Sequence, residues 1–223
     1  MVSYSSDVTP FAQARQRYLA ARGKAAVKAL AENAFDARFL ATAEHAVAAV
    51  LELIPAGARV GLGGSLTLRQ LDLPAALERR GDRIVQHWQT GLSSEESLRL
   101  RREQLLADVF LTSANAITLE GELVNVDAAG NRVGAMIFGP GKVIVVAGAN
   151  KVVKDVQEGL ARTRNLAAPI NALRLGVATP CAELGYCVDC ARPERICRVV
   201  TIVERRPTLT DLTVLVVGEE LGL

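Results

Sequence analysis

The amino-acid sequence predicts an α/β fold: a Rossmann-like, mainly parallel sheet with helices on both faces, preceded by N-terminal helices. Three observations carry that expectation. Runs of β-branched residues, Val143–Val146 above all, read as strands buried on both faces. Helix-length stretches separate most of these runs, as parallel neighbours require. Half of the 223 residues are hydrophobic and only 4% aromatic, so the core should be built from Ala, Val, Leu and Ile. A chain of that size buries such a core without cross-links.

Residues 1–10 read as a flexible lead-in and 11–223 as one domain, with a helical first segment at 11–54. The Ala-rich, charged run from Phe11 to Ala31 predicts a helix with one weak apolar face, and Gly23 marks a bend or break in it. Phe35, Phe39, Ala43, Val47, Val50 and Ile54 recur at helical spacing and predict a second helix, stopped at Pro55-Ala56-Gly57. Ala58–Leu62 reads as a buried strand, followed by a glycine turn and a helix ending near Arg80. A second strand is expected at Arg83–Val85. Ser93 and Glu96 have capping-box spacing, so a helix should start at Ser94 and run through Ala107.

Asp108–Thr112 predicts a third strand, and 116–136 a hairpin-like stretch with turns at Glu120-Gly121 and Ala129-Gly130-Asn131. Lys142–Val146 is expected to be a central strand. Val152–Asn165 should be helical, with another short helix opened by Pro169. Val199–Val203 and Leu212–Val217 close the chain as strands.

With 26 basic and 24 acidic side chains, the net charge of +2 makes no case for nucleic acid or an anionic membrane as partner. The N-terminal run lacks a signal-peptide pattern, and no apolar run is long enough to span a bilayer. A cytoplasmic, reducing setting is expected, and there clustered cysteines read as metal ligands or redox groups.

All four cysteines, Cys181, Cys187, Cys190 and Cys197, fall in a loop at 180–198 with spacing C-x5-C-x2-C-x6-C. Thiolates bind soft metals, and a pair two residues apart grips one centre from a single turn. The uneven spacing suits an iron–sulfur cluster, [4Fe–4S] first, because its ligands approach different corners. Arg192, Arg195 and Arg198 would offset the negative charge. Structural zinc is the alternative, and plain thiols that pack, or pair on oxidation, a third reading.

A second signal is the stretch Val60–Leu68, VGLGGSLTL, where a strand meets a helix. Gly63 and Gly64 allow close backbone approach, and Ser65 can cap the helix beside a bound anion. It matches neither G-x-G-x-x-G nor a Walker motif, and a plain tight turn explains it equally. After the third strand, where open sheets place ligands, Asn115 could hydrogen-bond a ligand and Glu120 could act as acid, base or nucleophile. Asn125, Asp127, Asn131 and Arg132 crowd the next turn, where conformation alone also favours polar residues. His45 reads as a surface residue. His87, beside Trp88, is a candidate pocket residue.

The stretches VGLGGSLTL, ADVFLTSANAIT, GELVNVDAAGNRVGAMIFGPGKVIVVAGANKVV and TPCAELGYCVDCARPERIC together resemble the LUD-domain family of lactate-utilisation proteins, most closely its stand-alone members with a four-cysteine loop. The resemblance runs from about Gln13 to Gly222. It implies a fold similar to the sugar-phosphate isomerase and CoA-transferase superfamily, with an inserted hairpin. It also implies a link to lactate oxidation alongside iron–sulfur subunits. From that superfamily, Gly63, Gly64 and Ser65 match a ligand-contacting turn. Glu120 falls in a region where transferases of this fold place a glutamate nucleophile.

The function expected from these readings is a cluster-binding protein of lactate or related organic-acid utilisation. It would act by electron transfer or by binding substrate at an open cluster iron. The alternative is a cluster-free acyl or phosphate transferase or hydrolase using Glu120, with zinc on the cysteine loop. Expected partners are a small organic acid or its derivative and other lactate-utilisation subunits or an electron-transfer protein, with an oligomer open and nucleic acid excluded.

Overall fold

The computed structural model describes residues 9–223, and most of the lead-in read at 1–10 lies outside the described residues. Six strands form one all-parallel sheet: β1 (Asp36–Leu40), β2 (Arg59–Leu62), β3 (Arg83–Val85), β4 (Val109–Thr112), β7 (Lys142–Gly148) and β10 (Asp211–Val217). Their spatial order is β1-β10-β7-β4-β2-β3. The four remaining strands are β5 (Ala116–Thr118), β6 (Leu123–Asp127), β8 (Val152–Val153) and β9 (Val199–Val203). They make a smaller sheet in the order β8-β5-β6-β9, antiparallel except where β5 meets β8.

The period of two along the central strands sorts their side chains onto two cores. Val143, Val145 and Ala147 of β7, with Val214 and Val216 of β10, pack with Leu19, Ala26 and Leu30 of helix α1 (Thr9–Glu32). Ile144, Val146, Leu215 and Val217 face the other way. There they meet α2 (Ala43–Leu53), α3 (Leu66–Gln70) and α4 (Leu73–Arg80) through Val50, Leu68 and Leu77. This is the α/β architecture the sequence predicts, a parallel sheet flanked by helices.

Four local readings change. Val152 and Val153, expected to open a helix, form β8, and the helix begins only at Val156 behind an Asp155 cap. Phe35 and Phe39 are not part of a helix. Residues Asp36–Leu40 form β1, registered along β10 with Phe39 beside Val216, and the helix starts only at Ala43 behind a Thr42 cap. Gly23 neither bends nor splits α1. It lets the Phe39 ring approach so closely that a Cβ would sit 2.8 Å from it. The turn at Ala129-Gly130-Asn131 leads not into a strand but into α6 (Asn131–Ile137). The Ser93–Glu96 capping box forms as expected and opens α5 (Ser94–Gln104).

The Glu120-Gly121 turn joins β5 to β6 and docks on the end of α1. Asn33 Nδ2 donates to the carbonyls of Glu120 (2.8 Å) and Gly121 (3.0 Å). Gly121 has φ +84°, and a Cβ there would lie 2.4 Å from the backbone of Ala29. Gly121→Ala is therefore expected to cost about 2–3 kcal/mol, strain plus displacement of α1, read as a lower urea midpoint.

Candidate functional site

A cavity of about 590 Å³ opens where the carboxyl ends of β2, β4 and β7 meet the smaller sheet. The turn after β2 contributes Gly64 and Ser65, and the segment after β4 contributes Ser113, Ala114 and Asn115. Ser65 caps α3 by accepting from Leu68 N at 3.4 Å. The end of β6 and the start of α6 add Asp127, Asn131 and Arg132. A tight turn after β7, Ala149–Lys151, carries Lys151 into the lining. The far wall is one long helix. α7 (Val156–Arg162) passes through a π-helical turn at Thr163–Ala167 into α8 (Ala168–Leu175), and Thr163, Ala167, Asn171 and Arg174 line the cavity.

A network fixes the polar floor. Arg132 Nε and Nη2 reach Asp127 Oδ1, the latter at 2.7 Å, in an ion pair with side chains only 14% and 11% exposed. Arg132 Nη2 also donates to Asn115 Oδ1 (2.9 Å) and to the Val126 carbonyl (2.8 Å). Asn115 Oδ1 further accepts from Val126 N (2.9 Å), which ties β6 to the segment after β4. Arg162 Nη1 donates to the Asn115 carbonyl at 2.7 Å. Asn115 is thus a structural hub as well as a lining residue.

Lys151 is 4% exposed and has no acidic partner within ion-pair distance among the described residues. Among the described residues its Nζ hydrogen-bonds two hydroxyls, Thr67 Oγ1 at 2.9 Å and Ser113 Oγ at 3.1 Å. Burial, followed by the nearby charges of Arg162 and Arg132, lowers its pKa to about 7. An amine at that value exchanges a proton near neutrality.

His87 and Trp88, after β3, line the opposite rim. Burial, then Arg101, brings the His87 pKa down to about 4, so the ring is neutral at ordinary pH. Its Nδ1 lies 3.1 Å from Gln104 Nε2, which also donates to the carbonyls of Leu62 and Val85. The Arg69 guanidinium stacks 4.4 Å over the Trp88 ring.

The sum of charges is lopsided. Arg69, Arg101, Arg132, Lys151 and Arg174 line the cavity against one acidic side chain, Asp127, which Arg132 already holds. Among the described residues, Arg69, Arg101 and Arg174 have no ion pair. Such a surface, half enclosed, attracts anions.

Of the residues singled out from the sequence, Gly64, Ser65, His87, Trp88, Asn115, Asp127, Asn131, Arg132 and Cys197 line this cavity, and Asn125 does not. Gly63 lies just behind it, where a Cβ would come within 2.8 Å of Thr112 Oγ1. His45 is exposed at the start of α2. The Glu120 side chain is exposed on the turn docked to α1, away from the lining residues. Lys151 was not singled out, although its sequence setting held a signal. It is a lone cation between two apolar runs, VIVVAGAN and VV, where a charged residue is expected to be buried.

The cysteine loop departs from expectation. Among the described residues no group of three or more Cys, His, Asp or Glu side chains comes together to hold a metal ion. Cys181, Cys187, Cys190 and Cys197 therefore do not form the expected [4Fe–4S] or other iron–sulfur site, nor the alternative zinc site. The functions built on either metal fall with them: electron transfer or substrate binding at a cluster, and a Glu120 enzyme with a zinc-stapled loop. All four are free thiols. Cys181 lies in the first turn of the short helix α9 (Pro180–Leu184), beside the Thr179 hydroxyl. Cys187 Sγ accepts from Asp189 N at 3.4 Å. What closes the loop is Arg195, which donates to the carbonyls of Cys190 and Cys197, each at 2.8 Å, and pairs with Asp189. An arginine expected to offset cluster charge instead bridges the backbone itself.

Among the described residues no helix is long and apolar enough to cross a membrane. No curated protein matches the chain. A crystal structure of a DUF162 family protein from Deinococcus radiodurans is similar in fold, with a TM-score of 0.51 over 91% of this chain and 98% of that one, at 17% identity. The model of the LUD domain matches residues 23–217, from the middle of α1 to the end of β10. The chain belongs to the LUD domain family.

Proposed function

We propose that the cavity binds a small organic acid or a derivative of one, its negative charge taken by Arg69, Arg101 and Arg174. The observation that carries this reading is the set of lining cations without ion-pair partners. A guanidinium that lines a cavity without a counter-charge is free to take up a carboxylate or phosphate. Burial and Arg69 both lower the Arg174 pKa, the signature of two cations held close without a counter-charge.

The same proposal includes a likeness to the sugar-phosphate isomerase and CoA-transferase superfamily. It is supported by the position of the cavity at the carboxyl ends of parallel strands. It also places the chain among the stand-alone family members with a four-cysteine loop, on the cysteine spacing alone. A reducing, cytoplasmic setting fits four cysteines that stand as free thiols.

Thermal unfolding in the presence of citrate, succinate, inorganic phosphate and uncharged glycerol tests the reading. At roughly a hundred times its dissociation constant, a bound anion stabilises by about 2.7 kcal/mol, several degrees in melting temperature. At least one of the three anions is expected to give such a shift, shrinking as salt is added, while glycerol at equal concentration does not. Arg69→Ala with Arg174→Ala should weaken that binding by at least about a hundredfold. Equal protection by glycerol, or none by any anion, would remove the basis for the proposal.

A further inference from the structure

Three polar side chains from three parts of the chain converge beneath the anion pocket. Lys151 Nζ lies 2.9 Å from Thr67 Oγ1 and 3.1 Å from Ser113 Oγ, and the two hydroxyls are 3.3 Å apart. Thr67 sits in the first turn of α3, Ser113 follows β4 and Lys151 follows β7, so the sheet itself sets their spacing. All are buried: 4% exposed for Lys151, 3% for Ser113 and 1% for Thr67.

This grouping is costly as a purely structural device. A buried ammonium is ordinarily stabilised by a carboxylate, and here it has two neutral hydroxyls. A neutral amine fits the same place well, since its lone pair can accept a hydroxyl proton. The charged groups acting on it, Arg162 from α7 and Arg132 from α6, both favour that neutral form. A nucleophile within hydrogen-bond reach of a base, with a third group orienting the base, is the arrangement of covalent acyl chemistry.

The two hydroxyls are not equivalent. Ser113 and Lys151 line the cavity and Thr67 does not. Thr67 is roofed by Gly222, whose N–H is held by Gln70 Oε1. A Cβ on Gly222 would fall 2.3 Å from Thr67 Oγ1 and 2.8 Å from Lys151 Nζ. Only Ser113 can meet a ligand.

We propose that Ser113 is a nucleophile that accepts the acyl group of an activated organic acid, an ester or thioester, with Lys151 as its general base and Thr67 as a positioning residue. The inference rests on the anion-pocket reading, which supplies the acid. Ser113 Oγ attacks the carbonyl carbon, and its proton passes to Lys151 Nζ. The bond from that carbon to the leaving oxygen or sulfur breaks, and the leaving group takes the proton from Lys151. Water then attacks the seryl ester, giving its proton to Lys151. The free acid leaves, and Ser113 Oγ recovers its proton from Lys151.

The test is rapid mixing of the full chain with p-nitrophenyl acetate, with nitrophenolate read optically and the acetylated peptide mapped by mass spectrometry. A burst approaching one equivalent is expected, with acetyl on Ser113, its rate rising with pH and levelling above an inflection near 7, the value of Lys151. Ser113→Ala should remove the burst. Lys151→Met should slow it by at least about a hundredfold. Thr67→Val should keep the burst and move the inflection, which a merely structural threonine would not do.

Mapping on the wild-type chain needs no variant to fold. Acetyl on Lys151 or on scattered surface lysines, with Ser113 unmodified, overturns the proposal. So does the absence of a burst in protein that anions still protect from heat. Loss of anion protection as well would instead count against the pocket reading beneath it.

Discussion

Replacing Lys151 with methionine is expected to stabilise the fold at neutral and mildly acid pH, and by less with each unit of rising pH. The amine has a pKa of about 7 in the folded chain against 10.5 unperturbed. Between those values the unfolded chain carries a proton that the folded chain lacks. Wild-type stability therefore rises with pH across that window, by about 1.4 kcal/mol per unit, and is lowest below it. Methionine fills much the same volume and does not titrate. It forfeits two hydrogen bonds to hydroxyls that can still pair with each other, about 1 kcal/mol in all. The net gain is on the order of 3 kcal/mol at pH 7 and below, vanishing by about pH 10. Urea unfolding of both proteins across pH 6 to 10 measures it. A variant less stable at pH 6, or a gap that ignores pH, would contradict a buried amine without a counter-ion. A protein that keeps so costly a group has a use for it, which is the stability–function exchange seen at working sites.

The largest loss is expected from Asp127→Ala. Among the described residues that carboxylate is the one counter-charge to Arg132, at 2.7 Å, and its second oxygen accepts from Val133 N at 3.3 Å, capping the first turn of α6. Without it, a guanidinium 14% exposed would face only the neutral oxygens of Asn115 and Val126. Breaking a buried pair from one side costs about 3–5 kcal/mol. Calorimetry or urea unfolding should show that loss, and Arg132→Met in the same chain should recover part of it, since the unpaired charge goes too. Equal losses for the single and double variants would mean the pair is not what holds this corner.

How far such features are legible in sequence depends on how local their signal is. The β-branched run at Val143–Val146 and the serine–glutamate cap at Ser93 announce themselves within a few residues, and both form as read. The strand β1 does not. Its sequence DARFL lies on the edge of the sheet with no fully buried side chain, and its alternation of exposed and half-buried positions spans only four residues. Phe35 and Phe39 happen to fall in helical phase with the real helix that follows. The site shows the same division. Gly64, Ser65 and Asn115 follow strands directly and could be placed there by topology. The Lys151–Ser113–Thr67 cluster joins residues 38 and 84 positions apart, and only the strand order brings them together. The cysteine loop misleads for the opposite reason. Its local spacing suits a metal, but the course of the loop is set by Arg195 and its carbonyl partners.

The π-helical turn at Thr163–Ala167 has a consequence for how this wall of the cavity can vary. Such a turn packs one surplus residue into a helix without adding a full revolution. Excising a single residue there would convert the bulge to regular α-helix and leave Asn171 and Arg174 close to their present places on the wall. Nothing in either sheet would need to move. A one-codon length change would therefore reshape the cavity only locally, at Thr163 and Ala167, while the rest of the wall keeps its register.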